Sequence, residues 1–154
     1  MIKIDYLHNN EKFKNDVITC LNDWNNKTFD NEAITIIALD NHELVGFYQI
    51  KDHDNDNTNF SPWLANVYIV PEKRKKGYSR KLLETIPSVL NDLGYDKLFL
   101  HTKLIDYYEK FGWEILCPFE KNDGIKRNIY IFKIKGSQVF LEKKENSANT
   151  ELIF

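Results

Sequence analysis

The feature that most constrains the fold lies between residues 67 and 83. An apolar, β-branched run stops at Pro71, and the four consecutive cations from Lys73 to Lys76 follow it directly. Gly77 then leads into a run whose apolar residues recur at helical spacing. This succession predicts a strand, a basic loop and the first turn of an amphipathic helix.

The basic loop predicts an anion-binding site. Cations beside a helix N-terminus are unfavourable by themselves, because the exposed N–H groups there carry about half a unit of positive charge. An anion held by those N–H groups and by the lysines would remove the conflict, and a diphosphate fits better than a single phosphate. The P-loop and dinucleotide-binding patterns both need more than one glycine, so a segment whose only glycine is Gly77 excludes both.

Length and composition predict one globular domain. The chain has 154 residues, of which 42% are hydrophobic and 29% charged, and its net charge of −2 argues against a dedicated nucleic-acid-binding domain. Cys20 and Cys117 are too far apart for a metal-ligand spacing, so no metal site is predicted. No signal-peptide pattern is present and no apolar run approaches the roughly 20 residues that span a bilayer, so we expect a cytoplasmic protein.

Hydrophobic periodicity predicts alternating strands and helices. Gly46 interrupts the third strand and predicts a bulge or a close backbone approach. Pro87 falls inside the second helix, where it should introduce a kink or cost about 3 kcal/mol. Strands are expected near residues 2–6, 33–39, 44–50, 62–70, 97–101, 113–117 and 128–134, and helices near residues 10–24, 78–93 and 104–111. The strands on either side of the second helix should be parallel.

Two motifs and the order of elements resemble the GNAT N-acetyltransferase superfamily. The family's coenzyme A loop, Arg/Gln-x-x-Gly-x-Gly/Ala, corresponds to Arg74-Lys75-Lys76-Gly77-Tyr78-Ser79, with a serine in place of the last small residue. Tyr107-Tyr108-Glu109-Lys110-Phe111-Gly112-Trp113 is similar to the family's Tyr-Glu-Lys-x-Gly-Phe/Trp signature. The resemblance implies an α/β fold with a central mixed sheet flanked by helices. Residues 1–136 would form this domain, and residues 137–154 a docking or mobile tail.

The resemblance also implies a reaction, in which the acetyl group of acetyl-CoA passes to a primary amine that attacks the thioester directly. In this family the central strand and its parallel neighbour splay apart and admit the pantetheine arm. The main chain of Val67, Tyr68 and Ile69 would contact that arm, and one of their N–H groups would polarise the thioester carbonyl. The remaining predicted cofactor-binding residues lie in the basic loop and the helix start: Arg74, Lys75, Lys76, Gly77, Tyr78, Ser79 and Arg80.

Tyr108 matches the family's general acid, which protonates the departing CoA thiolate, and Tyr107 is the alternative one position away. A phenol with a pKa of about 10 can protonate a thiolate whose thiol has a pKa of about 8.5 if the two are close. The base is not identified by the sequence. Many family members place an acid on the central strand, but the matching residue here is Asn66, which cannot accept a proton. The candidates for the base are therefore ordered water and four side chains: His101, Asp106, Asp30 and Glu32.

The sequence does not specify the acceptor. Acidic residues in the loops at 23–32 and 52–56 favour a cationic acceptor, either a small-molecule amine or a lysine side chain, framed by Trp24, Trp63 or Phe29. The missing central-strand acid keeps open a non-catalytic acyl-CoA-binding module. A nucleic-acid-binding domain using the basic loop is disfavoured by the overall acidity, and no membrane partner is expected. Apolar residues after Gly136 are compatible with a homodimer.

Overall fold

The computed structural model describes residues 1–53, 58–121, 123–134 and, as backbone, 150–152. Its helices are α1 (Lys14–Asn25), α2 (Tyr78–Glu84) and α3 (Ile86–Leu93). Its strands are β1 (Ile2–Tyr6), β2 (Ile34–Asp40), β3 (Glu43–Lys51), β4 (Trp63–Ile69), β5 (Lys97–Thr102), β6 (Glu114–Glu120), β7 (Lys126–Lys133) and β8 (Thr150–Leu152). They form one mixed sheet in the order β6-β7-β5-β4-β3-β2-β1-β8, so the predicted fold class is confirmed.

The sheet changes from antiparallel to parallel pairing at its centre. Strands β1 to β4 pair as an antiparallel meander, and β5, β7 and β6 form a second antiparallel group. The two groups meet where β4 pairs with β5 in parallel, which requires a crossover that α2 and α3 provide. The predicted strand, helix and parallel strand around the basic loop are therefore present.

The described end of the predicted tail lies in the sheet. Residues 150–152 form β8, which runs parallel to β1 with Ile2 opposite Thr150. The edge of β1 offers backbone donors and acceptors to this added strand. The rest of the tail, residues 137–149 and 153–154, lies outside the described residues.

Helices cover both faces of the sheet. On one face, α2 and α3 bury Leu82, Ile86 and Leu90 against a core that includes Tyr48 of β3. On the other face, α1 packs against Ile37, Phe47 and Tyr68 of the sheet. The side chains of α1 that are buried in this contact are Val17 and Leu21. Each such aliphatic side chain contributes roughly 1.5–3 kcal/mol when it is fully buried. Because strand side chains alternate between faces, Thr35 and Gln49 lie on the α1 face together with Ile37 and Phe47.

The predicted helix 78–93 is divided in two, which corrects the expectation for Pro87. Helix α2 ends at Glu84 and α3 begins at Ile86, so Pro87 lies in the first turn of a helix and not in its interior. A proline is tolerated there because its missing N–H would have no helical acceptor. The junction residue Thr85 is buried, donates from Oγ1 to the Leu82 carbonyl at 2.6 Å, and shares a hydrogen bond of 2.8 Å with the Tyr48 hydroxyl.

The predicted helix at 104–111 is wrong over its first half. Only Tyr108–Phe111 is helical, as a single 3-10 turn that ends at Gly112. Leu104 and Ile105 are 46% and 74% exposed, so this half has no buried face to stabilise it, and Asp106 has a φ of 60°. So short a helix is marginal without tertiary packing. Similarly, the first helix begins at Lys14, after two 3-10 turns, and not at residue 10 or 11.

Gly46 brings β3 and β4 into close approach, as its place in the strand predicted. A Cβ at this position would lie 2.6 Å from the carbonyl oxygen of Tyr68 and 2.7 Å from Cδ1 of Ile69. The register between β2 and β3 also shifts beside Gly46, between Ala38 and Leu39. Only a residue without a side chain fits here. Gly46 therefore allows the C-terminal end of β4 to lie this close to β3.

Candidate active site

β4 and β5 separate soon after they meet. Their parallel pairing is limited to Trp63 and Phe99, supported by a hydrogen bond of 3.0 Å from the Phe99 N–H to the Pro62 carbonyl. From Leu64 to Ile69, β4 has no register partner among the residues described in β5. The splay implied by the family resemblance is therefore present, and it leaves the β5-facing backbone of β4 available to an extended ligand.

A β-bulge in β4 lies at the point of separation. Tyr48 of β3 faces two residues of β4, Asn66 and Val67, so the register shifts there. Asn66 adopts a φ of 54°, which is uncommon for a residue with a side chain. Bulges of this kind are over-represented beside active sites, because they redirect a side chain and end regular pairing.

A cavity of about 420 Å³ joins β4 to the basic loop. It is lined by all predicted cofactor-binding residues except Lys76 and Arg80, and additionally by Trp24 and Lys73. The predicted residues among the lining are Val67, Tyr68, Ile69, Arg74, Lys75, Gly77, Tyr78 and Ser79. The structure thus brings together two segments that the sequence analysis assigned to different parts of one cofactor.

The basic loop concentrates backbone donors at this cavity. Lys75 and Gly77 both have left-handed conformations, with φ values of 64° and 83°. Among the described residues, no acceptor is bonded to any backbone N–H from Lys75 to Arg80, and the first intrahelical bond runs from the Lys81 N–H to the Gly77 carbonyl. Consecutive N–H groups that lack acceptors, followed by the start of a helix, form a favourable site for an anion.

Two cations of the loop are used to hold the loop itself. Arg74 donates from Nε to the Ile69 carbonyl at 2.8 Å, and its guanidinium lies 5.3 Å from the centre of the Tyr68 ring. Lys73 lies 3.6 Å from a carboxylate oxygen of Glu43. Arg74 therefore fastens the loop to the end of β4, while its exposed guanidinium still borders the cavity.

The other cations differ in their availability. Lys75 and Lys76 are exposed, and no described carboxylate forms an ion pair with either. Arg80 lies 3.5 Å from Glu84 and 5.5 Å from the centre of the Phe111 ring. Lys75 and Lys76 are thus the cations of the loop that are best placed to pair with a bound anion.

Tyr78 and Ser79 connect the start of α2 to β2 and to the segment that precedes Tyr108. The Tyr78 hydroxyl donates to Asp40 at 2.7 Å, which raises the pKa of the phenol and lowers the pKa of the Asp40 carboxyl. Ser79 Oγ lies 3.0 Å from the Tyr107 hydroxyl, and either can donate. The serine that departs from the family pattern is therefore bonded to the residue next to the predicted general acid.

Tyr108 is packed among aromatic rings. Its ring lies 5.0 Å from Tyr107, 6.0 Å from Trp113 and 6.4 Å from Tyr130, measured between ring centres. Burial, with a smaller contribution from Tyr107, raises the pKa of the Tyr108 phenol to about 12. The phenol therefore keeps its proton throughout the neutral range, as a general acid must.

A row of polar side chains crosses the α1 face of the sheet and ends at Lys27. Gln49 donates from Nε2 to Thr35 Oγ1 at 3.0 Å and accepts at Oε1 from Asn66 Nδ2 at 2.7 Å. Lys27 Nζ donates to Asn66 Oδ1 at 2.7 Å. Sequence reasoning missed Lys27, whose partner is 39 positions away. Gln49, a polar residue within an apolar strand, was the one signal available.

Two of the alternative bases, His101 and Asp30, have structural partners. His101 lies between two aromatic rings, 5.7 Å from Trp63 and 5.0 Å from Phe119. Asp30 accepts from the Glu32 N–H at 2.9 Å in a local turn. Of the aromatic residues proposed to frame an acceptor, Trp63 is 1% exposed and belongs to the core, whereas Trp24 is 37% exposed and borders the cavity.

Within the described ranges, no three His, Cys, Asp or Glu side chains come together as a metal site would require. No helix among these residues has the length and apolar character needed to cross a membrane. Cys20 and Cys117 are both free thiols and partly exposed.

Solved structures share this fold at low sequence identity. An aminoglycoside 6'-acetyltransferase type Ii has a TM-score of 0.67 and 19% identity, over 86% of this chain and 97% of that one. Naa50 of Arabidopsis thaliana, in complex with the bisubstrate analogue CoA-Ac-MVNAL, has a TM-score of 0.64 and 14% identity, over 86% and 99%. The CoA-dependent acyl-homoserine lactone synthase BjaI has a TM-score of 0.75 and 11% identity, over 99% and 92%.

Structural likeness at such low sequence identity shows the fold alone, whereas a match to a family model over most of the chain shows the family. A comparison with curated proteins found no match. The model of the acetyltransferase (GNAT) family matches residues 2–113, which is more than half of the chain and includes both motifs up to Trp113. With the splayed β4 and β5 and the donor-rich loop at the start of α2, this match shows that the chain belongs to the acetyltransferase (GNAT) family.

Proposed function

We propose that this protein is an acetyl-CoA-dependent N-acetyltransferase that acts on a primary amine by direct attack. The observation that carries the proposal is the single cavity shared by the open side of β4 and the basic loop. An extended chain along Val67 to Ile69 would lead directly to the unsatisfied N–H groups that begin at Lys75. Pantetheine followed by a pyrophosphate has this combination of shape and charge.

The donor would be held mainly by backbone groups. Pantetheine amides would pair with the main chain of Val67, Tyr68 and Ile69, and the pyrophosphate would accept hydrogen bonds from the N–H groups of residues 75–80. Each hydrogen bond to the charged phosphates contributes about 1.5–3 kcal/mol. Lys75 and Lys76 would add charge from the solvent side, and Arg74 would keep the loop against β4.

The chemical step needs one acid and one carbonyl-polarising donor. The nitrogen of the amine attacks the thioester carbonyl carbon, whose oxygen accepts a hydrogen bond from an N–H of β4. The carbon–sulfur bond then breaks, the nitrogen loses a proton to water to give the neutral amide, and the thiolate takes the phenolic proton of Tyr108. The pKa of that phenol is raised to about 12, so the proton is present at neutral pH, and its uphill transfer to the thiolate of a thiol with a pKa of about 8.5 is completed by the return of a proton from solvent to the phenol.

Deprotonation of the acceptor is assigned to water. An alkylammonium has a pKa of about 10.4, so forming the neutral amine at pH 7 costs about 4.6 kcal/mol. Asn66 lies on the bulge of β4 but cannot take a proton, and its Oδ1 can only accept a hydrogen bond from the ammonium. Ordered water beside Asn66 would carry the proton to solvent.

The acceptor we propose is a small-molecule amine or a lysine side chain. Trp24, exposed at the edge of the cavity, offers an aromatic face to a cationic alkylamine. The aminoglycoside 6'-acetyltransferase and the Naa50 complex with a peptide-bearing analogue are both proteins of this fold that act on or bind amine acceptors. They support the reaction class and not a particular acceptor.

Thermal stability with and without acetyl-CoA tests donor binding. At a ligand concentration of 100 Kd, binding stabilises the protein by about 2.7 kcal/mol, which raises Tm by about 5–10 °C for a chain of this size. We expect Gly77→Glu to abolish this shift, because it places a carboxylate among the phosphate donors. Gly94→Glu is the matched control, since both glycines have left-handed φ values, 83° and 80°, and open space around them.

An amine screen for thiol release completes the test. A shift in the wild type and in Gly94→Glu that Gly77→Glu lacks, together with thiol release, would support the proposal. Thermal shifts without thiol release from any amine would indicate the alternative, a non-catalytic acyl-CoA-binding module. Equal shifts in all three proteins would place the donor away from the loop and refute the site.

A further inference from the structure

The ammonium of Lys27 lies in a site that is built for an alkylammonium. Its Nζ is 4.4 Å from the centre of the Trp24 ring and donates to Asn66 Oδ1 at 2.7 Å. An aromatic face and an amide oxygen both stabilise an ammonium. Lys12 and Lys14 also lie over aromatic rings, at 5.3 and 5.4 Å, but neither donates to a strand residue.

The oxygen that Asn66 presents to Lys27 is held in place by the sheet. Gln49 has no exposed surface, and its amide is bonded on one side to Thr35 and on the other to Asn66 Nδ2. Since the Asn66 NH₂ group is engaged by Gln49, Oδ1 is the atom that faces Lys27. An acceptor for an ammonium is thus fixed at the bulge of β4 by residues from two neighbouring strands.

This ammonium site adjoins the proposed donor cavity. Trp24, whose ring contacts Lys27, also lines the cavity, and Asn66 directly precedes the lining residue Val67. The side chain of Lys27 therefore reaches from the loop after α1 to the part of β4 where the proposed function places the thioester.

We propose that Lys27 is itself an acetyl acceptor, so that the protein acetylates this lysine within its own chain. The inference rests on the proposed function. The Lys27 ammonium loses one proton to water, and its nitrogen forms a bond with the thioester carbonyl carbon. The nitrogen then loses its second proton to water as the carbon–sulfur bond breaks, the thiolate receives the Tyr108 proton, and solvent returns one proton to the phenol. Acetyl-lysine, free CoA and one proton are the products.

The test is site-resolved mass spectrometry of the full chain incubated with acetyl-CoA and no added amine. We expect Lys27 to be acetylated at least tenfold faster than Lys14, which is the matched lysine because it also lies over an aromatic ring. The reaction is intramolecular, so its first-order rate constant should be the same at protein concentrations that differ tenfold. Lys27→Arg should lose one acetyl group from the intact mass, whereas Lys14→Arg should keep the group on Lys27.

Gly77→Glu and Asn66→Leu separate site-directed transfer from chemical acetylation. The first removes the proposed pyrophosphate site and the second removes the oxygen that holds the ammonium, so both should reduce labelling of Lys27 to the level of Lys14. Gly94→Glu, which should keep acetyl-CoA binding, should also keep the labelling.

Three results would overturn the inference, and they are distinguishable from one another. If an added amine releases CoA from acetyl-CoA while Lys27 is labelled no faster than Lys14, the proposed function stands and self-acetylation is refuted. If acetyl-CoA neither stabilises the protein nor supports thiol release, the proposed function fails and this inference fails with it. A rate constant that rises in proportion to protein concentration would also refute transfer within one chain.

Discussion

Replacing Gly46 with alanine should lower the free energy of unfolding by about 1–2 kcal/mol. The added Cβ would lie 2.6 Å from the Tyr68 carbonyl oxygen, 2.7 Å from Ile69 Cδ1 and 3.3 Å from Leu82 Cδ1. Overpacking of this kind costs about 1–3 kcal/mol, and the backbone oxygen can move only with its strand. Alanine also lowers the conformational entropy of the unfolded chain, which offsets about 0.4–1 kcal/mol of this cost.

The same substitution should weaken acetyl-CoA binding. To relieve the contact, β4 must move away from β3 at Tyr68 and Ile69, which are both lining residues of the cavity. The expected loss of Tm is about 2–8 °C, and the thermal shift on adding acetyl-CoA should be smaller than in the wild type.

Urea unfolding and thermal shift assays measure both effects, with Gly124→Ala as the control. Gly124 has open space around it but a φ of 73°, so alanine there is strained in its own backbone without displacing β4, and it should leave the acetyl-CoA shift unchanged. A free energy of unfolding for Gly46→Ala within 0.5 kcal/mol of the wild type, at an unchanged m-value, would refute the argument from close approach.

Three further predictions concern the tyrosines and the bulge. Tyr108→Phe should lower kcat by about 10²–10⁴ without changing the acetyl-CoA thermal shift, while Tyr107→Phe should keep most of kcat; the reverse pattern would assign the acid to Tyr107. Asn66→Asp should raise kcat/KM at pH 7 at least about tenfold and move the rising limb of the pH–rate profile to lower pH, because a carboxylate can take the proton; an unchanged profile would show that the bulge does not face the acceptor. Burial raises the pKa of Tyr48 far above its usual value, so the folded state keeps this proton after the unfolded state has lost it. Stability should therefore fall as pH rises above about 10, and urea titrations should show a shallower fall in Tyr48→Phe; an equal slope would contradict this assignment.

Local features of the sequence predicted the parts of the site that neighbouring residues make. The cations, Gly77 and the start of α2 are contiguous, so charge pattern and backbone preference were enough to predict an anion-binding loop. Strands β1 to β7 were predicted near their observed positions because period-two alternation is a property of adjacent residues, whereas β8 was not predicted. Predictions that depended on packing were less successful, as the exposed Leu104 and Ile105 show for a helix that does not form.

The sequence by itself determined the strand, loop and helix of the proposed cofactor site, since each follows from residues that are consecutive in the chain. Only the tertiary structure decided which residues from distant parts of the chain lie beside these elements. Strand pairing brings Thr35, Gln49 and Asn66 into one row, and Lys27 reaches the end of that row across 39 positions. The bulge at Asn66 and the separation of β4 from β5 also depend on how strands distant in sequence pair, which no local pattern specifies.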